Sequence, residues 1–211
     1  MSLIDKAFIR SRITTEAPWC KSHGAEHETG QLGAGILYYG LTHALQSKTC
    51  VCLGSGGGYV PRLMRQAQRD LEIKGSRTIL VDGAHHIEPS KKAILGEPDW
   101  LLEDSFFRTN YPDIEIHLEL TETAFHEYFQ PNNVKIDFLH IDADHRYEGV
   151  KLDWDLFSTL LADTGIVTLH DTINHREPFG VHRLIEEIRA EDHYEMINLP
   201  IACGTAILRK R

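Results

Sequence analysis

Two short stretches constrain this chain more than any others. One is Phe138-Leu-His-Ile-Asp142, running on through Ala143-Asp-His-Arg-Tyr-Glu-Gly149; the other is Gly165-Ile-Val-Thr-Leu-His-Asp171. Each is an apolar run of strand length that stops at acids and histidines. Near-continuous apolar runs belong to strands covered on both faces, the habit of parallel sheets. In an open α/β sheet, ligands sit beyond the carboxyl ends of the strands. As neighbours, the two strand ends would bring Asp142, Asp144, His145, His170 and Asp171 together, a set able to hold a divalent cation.

The rest of the chain repeats the alternation of strand and helix that a mostly parallel sheet requires. Strands are expected at Thr49–Leu53, Thr78–Asp82, Ile114–Leu118, Phe138–Asp142 and Gly165–Leu169. Glu195–Leu199 and Cys203–Leu208 read as a terminal antiparallel pair. Helices are expected at Ile36–Leu45, Val60–Leu71, Thr121–Phe129, Tyr147–Leu161 and Val181–Ala190, where apolar residues recur at helical spacing. Pro61 suits a first helical turn. Residues 83–112, with Pro89, Pro98, Pro112 and Trp100, read as an irregular insertion over the sheet edge. Residues 1–35 read as an N-terminal extension or lid, and 36–211 as the one domain, a size that can bury a full core.

Composition removes several function classes. A formal net charge of -9 argues against nucleic acid as the partner, since phosphate backbones are met with surplus Lys and Arg. No segment has the roughly 18 apolar residues of a membrane span, so no membrane partner is expected. The start of the chain lacks the apolar core of a signal peptide. Cys20, Cys50, Cys52 and Cys203 contain no C-x-x-C, and Cys50 and Cys52 alternate on an apolar strand. Reduced thiols and a cytoplasmic location are expected.

The turn Gly54-Ser55-Gly56-Gly-Gly58 follows one strand and precedes a helix. Glycines there let the backbone turn sharply and approach a ligand closely. Tyr59 stands where the dinucleotide fingerprint has its third glycine. Asp82 ends the next strand, where a carboxylate can accept hydrogen bonds from both hydroxyls of a ribose.

With the glycine turn, the acid after the second strand and the terminal antiparallel strands, the chain resembles the class I S-adenosylmethionine-dependent methyltransferases. The stretch Ile141-Asp-Ala-Asp-His-Arg-Tyr-Glu-Gly149 with Gly165-Ile-Val-Thr-Leu-His-Asp171 is similar to one subset, small bacterial enzymes whose motif runs IDGDHSYEGV … GGxxxxHD, and to metal-dependent O-methyltransferases acting on sugars and antibiotics. The resemblance covers about residues 36–209. It implies a single Rossmann-like domain with a seven-stranded, mostly parallel sheet. It implies methyl transfer from S-adenosylmethionine to a hydroxyl oxygen of a small molecule, a sugar or natural product. Gly54, Ser55, Gly56, Gly58, Asp82 and Asp142 would meet the cofactor. In the sugar-modifying relatives a D-x-x-H motif sets a metal ligand and a general base three residues apart, a spacing that Asp142 and His145 match. One departure is Cys52, where family members usually carry an acid. In related enzymes an N-terminal extension often packs on a neighbour, so a homo-oligomer stays open.

The chemistry can also be argued from the residues. A neutral hydroxyl is a poor nucleophile at neutral pH. A divalent metal lowers its pKa and fixes its orientation, and a nearby base takes the proton. Asp142 and Asp171 are hard oxygen donors suited to Mg or Mn. His170 adds a nitrogen, which moves preference toward Mn, Fe or Zn. His145 suits the base role, with Asp144 as alternative base or third ligand. A plainer reading keeps Asp144 and Asp171 as caps, and His140 and His170 as core or supporting histidines. His23, Glu26 and His27 could form a metal site on a helix, but Gly24 and Gly30 favour a loop. His85 and His86 read as exposed, Lys91 and Lys92 as solvated, and His175 and His182 as near the acceptor. Two rival classes remain: an NAD(P)-dependent oxidoreductase on a similar sheet, and a metal-dependent hydrolase or non-catalytic binding module.

Overall fold

The computed structural model describes residues 5–10, 18–83 and 98–211; His85, His86, Pro89, Lys91 and Lys92 lie outside them. Among the described residues, seven strands form one sheet: β1 Thr49–Leu53, β2 Arg77–Val81, β3 Glu115–His117, β4 Ile136–Ile141, β5 Leu161–His170, β6 Tyr194–Leu199 and β7 Thr205–Lys210, in the order β3-β2-β1-β4-β5-β7-β6. β1 to β5 pair in parallel, and β7 runs antiparallel between β5 and β6. This is the Rossmann-like sheet with terminal antiparallel strands expected from the sequence. Besides a single helical turn, Lys6–Phe8, the helices among the described residues are α1 Pro18–Ser22, α2 Gly35–Leu45, α3 Tyr59–Asp70, α4 Phe106–Asn110, α5 Thr121–Ala124, α6 Tyr147–Phe157 and α7 Val181–Glu191. A wider π turn, Phe125–Phe129, continues α5.

Strand alternation divides the core into two layers. Val51, Leu53, Leu139, Ile141, Val167 and Leu169 face α6, α7 and the π turn, meeting Trp154, Phe157, Leu184 and Ile188. Cys50, Cys52, Leu80, Phe138 and Ile166 face α2 and α3, meeting Tyr38, Tyr59, Leu63 and Met64. His140 and His170 share the parity of Phe138 and Ile166, so they belong to this second layer, where His140 Nδ1 lies 2.8 Å from Thr168 Oγ1.

Most element boundaries move by a residue or two from the sequence reading, and the larger differences have local causes. α6 stops at Phe157 and a single turn, Ser158–Leu160, leads into β5, which begins at Leu161. The apolar periodicity of the helix runs on into the strand, so spacing alone does not mark the change. β7 begins at Thr205 because Gly204, at φ 92°, closes the turn that precedes it. The part of the insertion that is described, residues 98–112, covers a face of the sheet as well as its edge. Trp100, Phe107 and Tyr111 are buried in the layer of Tyr59, Val60 and Leu63. The indole N–H of Trp100 donates to the Gly56 carbonyl at 2.7 Å, which fastens this segment to the glycine turn.

Residues of the N-terminal extension also enter the core. Cys20, Ala25, Leu32 and Ala34 pack with Tyr38 and Tyr59, and the Tyr59 hydroxyl donates to the Leu32 carbonyl at 2.7 Å. All four cysteines are free thiols. Among the described residues, no helix is long and apolar enough to cross a membrane.

Candidate active site

The parallel pairing of β4 with β5 sets Ile141 beside Leu169, so the residues that follow, Asp142 and His170, emerge side by side. Asp171 then adopts a left-handed backbone, φ 57°, a conformation an Asp tolerates better than most residues. Its Oδ2 lies 3.4 Å from His170 Nδ1 and 3.5 Å from His145 Nε2. Asp142 Oδ1 lies 3.2 Å from His145 Nε2 and 3.3 Å from His170 Nδ1. Asp142 Oδ2 faces two further rings, His23 Nε2 at 3.7 Å and His140 Nε2 at 3.8 Å. Ligands sharing one cation at about 2.1 Å stand roughly 3.0–3.4 Å apart by octahedral or tetrahedral geometry. The spacings around Asp142 are close to that range, and the donors are hard oxygens and imidazoles. Two overlapping ligand groups result: Asp142, His145 and Asp171, and His23, Asp142 and His170.

The electrostatics match an anionic pair that wants a cation. Burial would raise the Asp142 carboxyl, but His170, His140 and His145 outweigh it and hold the group well below the ordinary carboxylate range. Burial would lower His170, but Asp142 and Asp171 outweigh it and raise that imidazole well above its usual value. His145 is raised for the same reason: Asp142 and then Asp171 overcome its burial. His23 and His140 are lowered, chiefly by burial. Both imidazoles are thus shifted toward holding a proton beside the carboxylates. A divalent cation would displace such protons. His170 is already oriented for it: its Nε2–H donates to the Ser22 carbonyl at 3.1 Å, leaving Nδ1 toward the carboxylates.

His145 is fixed from above and behind. Its ring stacks on Phe179 at 5.1 Å and 18°, and its carbonyl accepts the Gly180 N–H at 2.7 Å. Its side chain is 35% exposed, open enough to meet an acceptor. Asp144 does not join the cluster. Its carboxylate is gripped by the Arg146 guanidinium and backbone N–H.

The glycine turn lies against the same strand end. A Cβ on Gly54, at φ 70°, would stand 2.4 Å from Ala143 Cα and 2.5 Å from the Asp142 carbonyl. Only glycine lets these two loops touch. Gly58, at φ 78°, is equally confined, since its Cβ would meet Phe107 at 2.5 Å. The Ser55 N–H donates to the buried Asp82 carboxylate at 3.1 Å, while Ser55 Oγ is buried with no hydrogen-bond partner among the described residues. A cradle of tight backbone, a buried acid and an unpaired hydroxyl fits a ligand bearing several hydroxyls. Cys52 is no substitute for an acid here. Burial, then Asp142 and Asp82, push its thiol well up, and its Sγ–H donates to the Gly54 carbonyl at 3.2 Å.

Two histidines of the cluster were undervalued by sequence reasoning. His140 carried a usable signal, its parity with His170 on the adjacent strand. His23 carried a weaker one, its grouping with Glu26 and His27, which Gly24 and Gly30 argue against. Glu26 and His27 stay outside the ligand groups found among the described residues; Glu26 accepts a bond from Thr29 at 2.7 Å. His175 and His182 pair with each other, ring centres 4.4 Å apart, away from Asp142.

A family model described as a methyltransferase domain matches residues 51–172, from β1 to just past the end of β5. No curated protein matches the sequence. Among solved structures, an O-methyltransferase from Bacillus cereus in complex with SAH superposes with a TM-score of 0.64 at 14% identity, over 98% of this chain and 96% of that one. The O-methyltransferase TomG from Streptomyces achromogenes, involved in tomaymycin synthesis and in complex with SAM, gives 0.60 at 16% identity, over 97% and 95%. SAH-bound PaMTH1 from Podospora anserina, a methyltransferase, gives 0.60 at 11% identity, over 97% and 93%. At such identities the likeness is one of fold.

Proposed function

The chain belongs to the methyltransferase-domain family, and on that premise we propose that it transfers a methyl group from S-adenosylmethionine to a hydroxyl oxygen of a small molecule, a sugar or natural product, with a divalent cation at Asp142, His170 and Asp171. The observation that carries this reading is the contact of Gly54 with Ala143 and Asp142. With the glycine turn against the Asp/His cluster, a cofactor held on that turn would lie beside an acceptor held at the cluster, as direct transfer between two bound molecules demands. SAM- and SAH-bound structures of the same fold support the choice of cofactor.

In this reading the Gly54–Gly58 turn receives the cofactor and Asp82 accepts hydrogen bonds from its ribose hydroxyls. The cation, Mg or Mn, supplies acidification and orientation of the acceptor hydroxyl. His145 takes the hydroxyl proton at Nε2 as the methyl carbon leaves sulfur and bonds to oxygen. Phe179 and Gly180 keep that ring in place. Asp144 would have to release Arg146 before accepting a proton, so the base role falls to His145. The four free thiols support a reducing, cytoplasmic setting.

Isothermal calorimetry with S-adenosylmethionine and S-adenosylhomocysteine, with and without Mg or Mn, tests the proposal. Micromolar binding of both is expected. Absence of binding under every metal condition would sink it.

A further inference from the structure

Asp142 Oδ2 sits in an unusual environment. The two nitrogens that face it, His23 Nε2 and His140 Nε2, stand 3.7 and 3.8 Å away, too far for a hydrogen bond. His140 Nε2 is fully buried with no hydrogen-bond partner among the described residues. A buried imidazole nitrogen left unpaired opposite a carboxylate edge is costly as it stands. The ligand atoms of His23, Asp142 and His170 nonetheless lie within 4.8 Å of one another, near enough for one ion to sit between them.

The remote nitrogens of the two flanking rings are already engaged. His23 Nδ1 lies 3.1 Å from the Tyr38 hydroxyl, and His170 Nε2–H donates to the Ser22 carbonyl at 3.1 Å. A histidine ligand usually spends its second ring nitrogen on such a partner, which leaves the other as a bare lone pair. His23 is 2% exposed, and its carbonyl accepts the Ala34 N–H at 2.8 Å. The ring is therefore held where it is by its own segment.

We infer that His23 Nε2 is a metal ligand, which with Asp142 and His170 Nδ1 makes a nitrogen-rich site for a first-row transition ion such as Mn, Fe or Co in preference to Mg. The inference rests on the reading that a cation binds at Asp142 and extends it in two ways. Two imidazoles move the preference from hard, oxygen-seeking Mg toward transition metals. The metal also fastens the segment around residues 18–34 to the ends of β4 and β5, so this extension completes the site.

The test uses the full chain stripped of metal. Mn binding is followed by the electron paramagnetic resonance of free Mn, then by competition with Mg, for the wild type, His23→Gln and Tyr38→Phe. The wild type should bind Mn at least tenfold tighter than Mg. His23→Gln should lose about 10–100-fold in Mn affinity while Mg affinity changes less than threefold. Tyr38→Phe, which keeps the ligand and removes only its hydroxyl partner, should lose Mn affinity several-fold; it carries the test if His23→Gln does not fold. Adding Mn should slow amide hydrogen exchange around Gly24–Gly35 in the wild type and not in His23→Gln. Equal Mn affinity in wild type and His23→Gln, or no preference of the wild type for Mn, overturns the inference and leaves the methyl-transfer reading intact. A wild type that binds neither ion overturns it together with the cation in the proposed mechanism, while S-adenosylhomocysteine binding still decides the cofactor.

Discussion

Replacing Asp153 with Asn should make the protein more stable above neutral pH and less stable in acid. Asp153 lies on α6 with its side chain buried, 2% exposed. The Thr121 hydroxyl donates to its Oδ1, but Oδ2 is buried with no hydrogen-bond partner among the described residues. Burial, reinforced by the charge of Asp144 and only partly offset by Thr121, raises its carboxyl from 3.8 to about 7. The native state thus keeps a proton that the unfolded chain gives up near pH 4. Below that pH both states are protonated and the group costs nothing. Between about pH 4 and 7 stability falls as pH rises, and above 7 the full penalty is present. A shift of about 3 units at 1.36 kcal/mol each is roughly 4 kcal/mol. An amide avoids that penalty but leaves an extra N–H unpaired, at about 1–3 kcal/mol. The net gain at pH 8 is roughly 1–3 kcal/mol, or a rise in Tm of roughly 2–10 °C for a chain of this size. At pH 4.5 the sign should reverse, with a fall of a few degrees. Thermal unfolding of both proteins at the two pH values checks this, and other titrations common to both cancel in the difference. The same Tm difference at pH 4.5 and pH 8 would refute the reasoning.

Gly54→Ala forces a Cβ to within 2.4 Å of Ala143 Cα at a left-handed φ, and should destabilise by about 2–5 kcal/mol; a loss under about 1 kcal/mol in denaturant unfolding would contradict the contact. Asp82→Asn weakens acceptance from ribose hydroxyls and from the Ser55 N–H, so S-adenosylhomocysteine affinity should fall about 10–100-fold by calorimetry; unchanged affinity would take Asp82 out of the cofactor site. Asp171→Ala removes the carboxylate 3.4 Å from His170 Nδ1 and should abolish metal-dependent turnover while leaving S-adenosylhomocysteine binding within about threefold. Turnover at the wild-type rate would remove the cation from the mechanism.

Much of the scaffold is written in short-range pattern. The apolar runs of β1, β2, β4 and β5, the glycine turn after β1 and the acids closing β2, β4 and β5 lie where local alternation and turn chemistry predict them. Parallel order then makes Asp142 and His170 neighbours almost automatically, since one register step relates them. Boundaries such as Phe157 to Leu161 escape, because helix and strand there share one apolar run.

Tertiary structure alone decided the rest. The sequence neighbours that could group with His23, Glu26 and His27, stay outside its ligand group, and its ring reaches Asp142 because Cys20, Ala25, Leu32 and Ala34 pack on Tyr38 and Tyr59. Asp144 and His145 are adjacent in sequence, yet Arg146 holds one at the rim while Asp142 and Asp171 face the other. Periodicity reports which face a residue occupies within its own element. Which loop comes to lie over a strand end is set by long-range burial, and that is where this site gained its extra histidine.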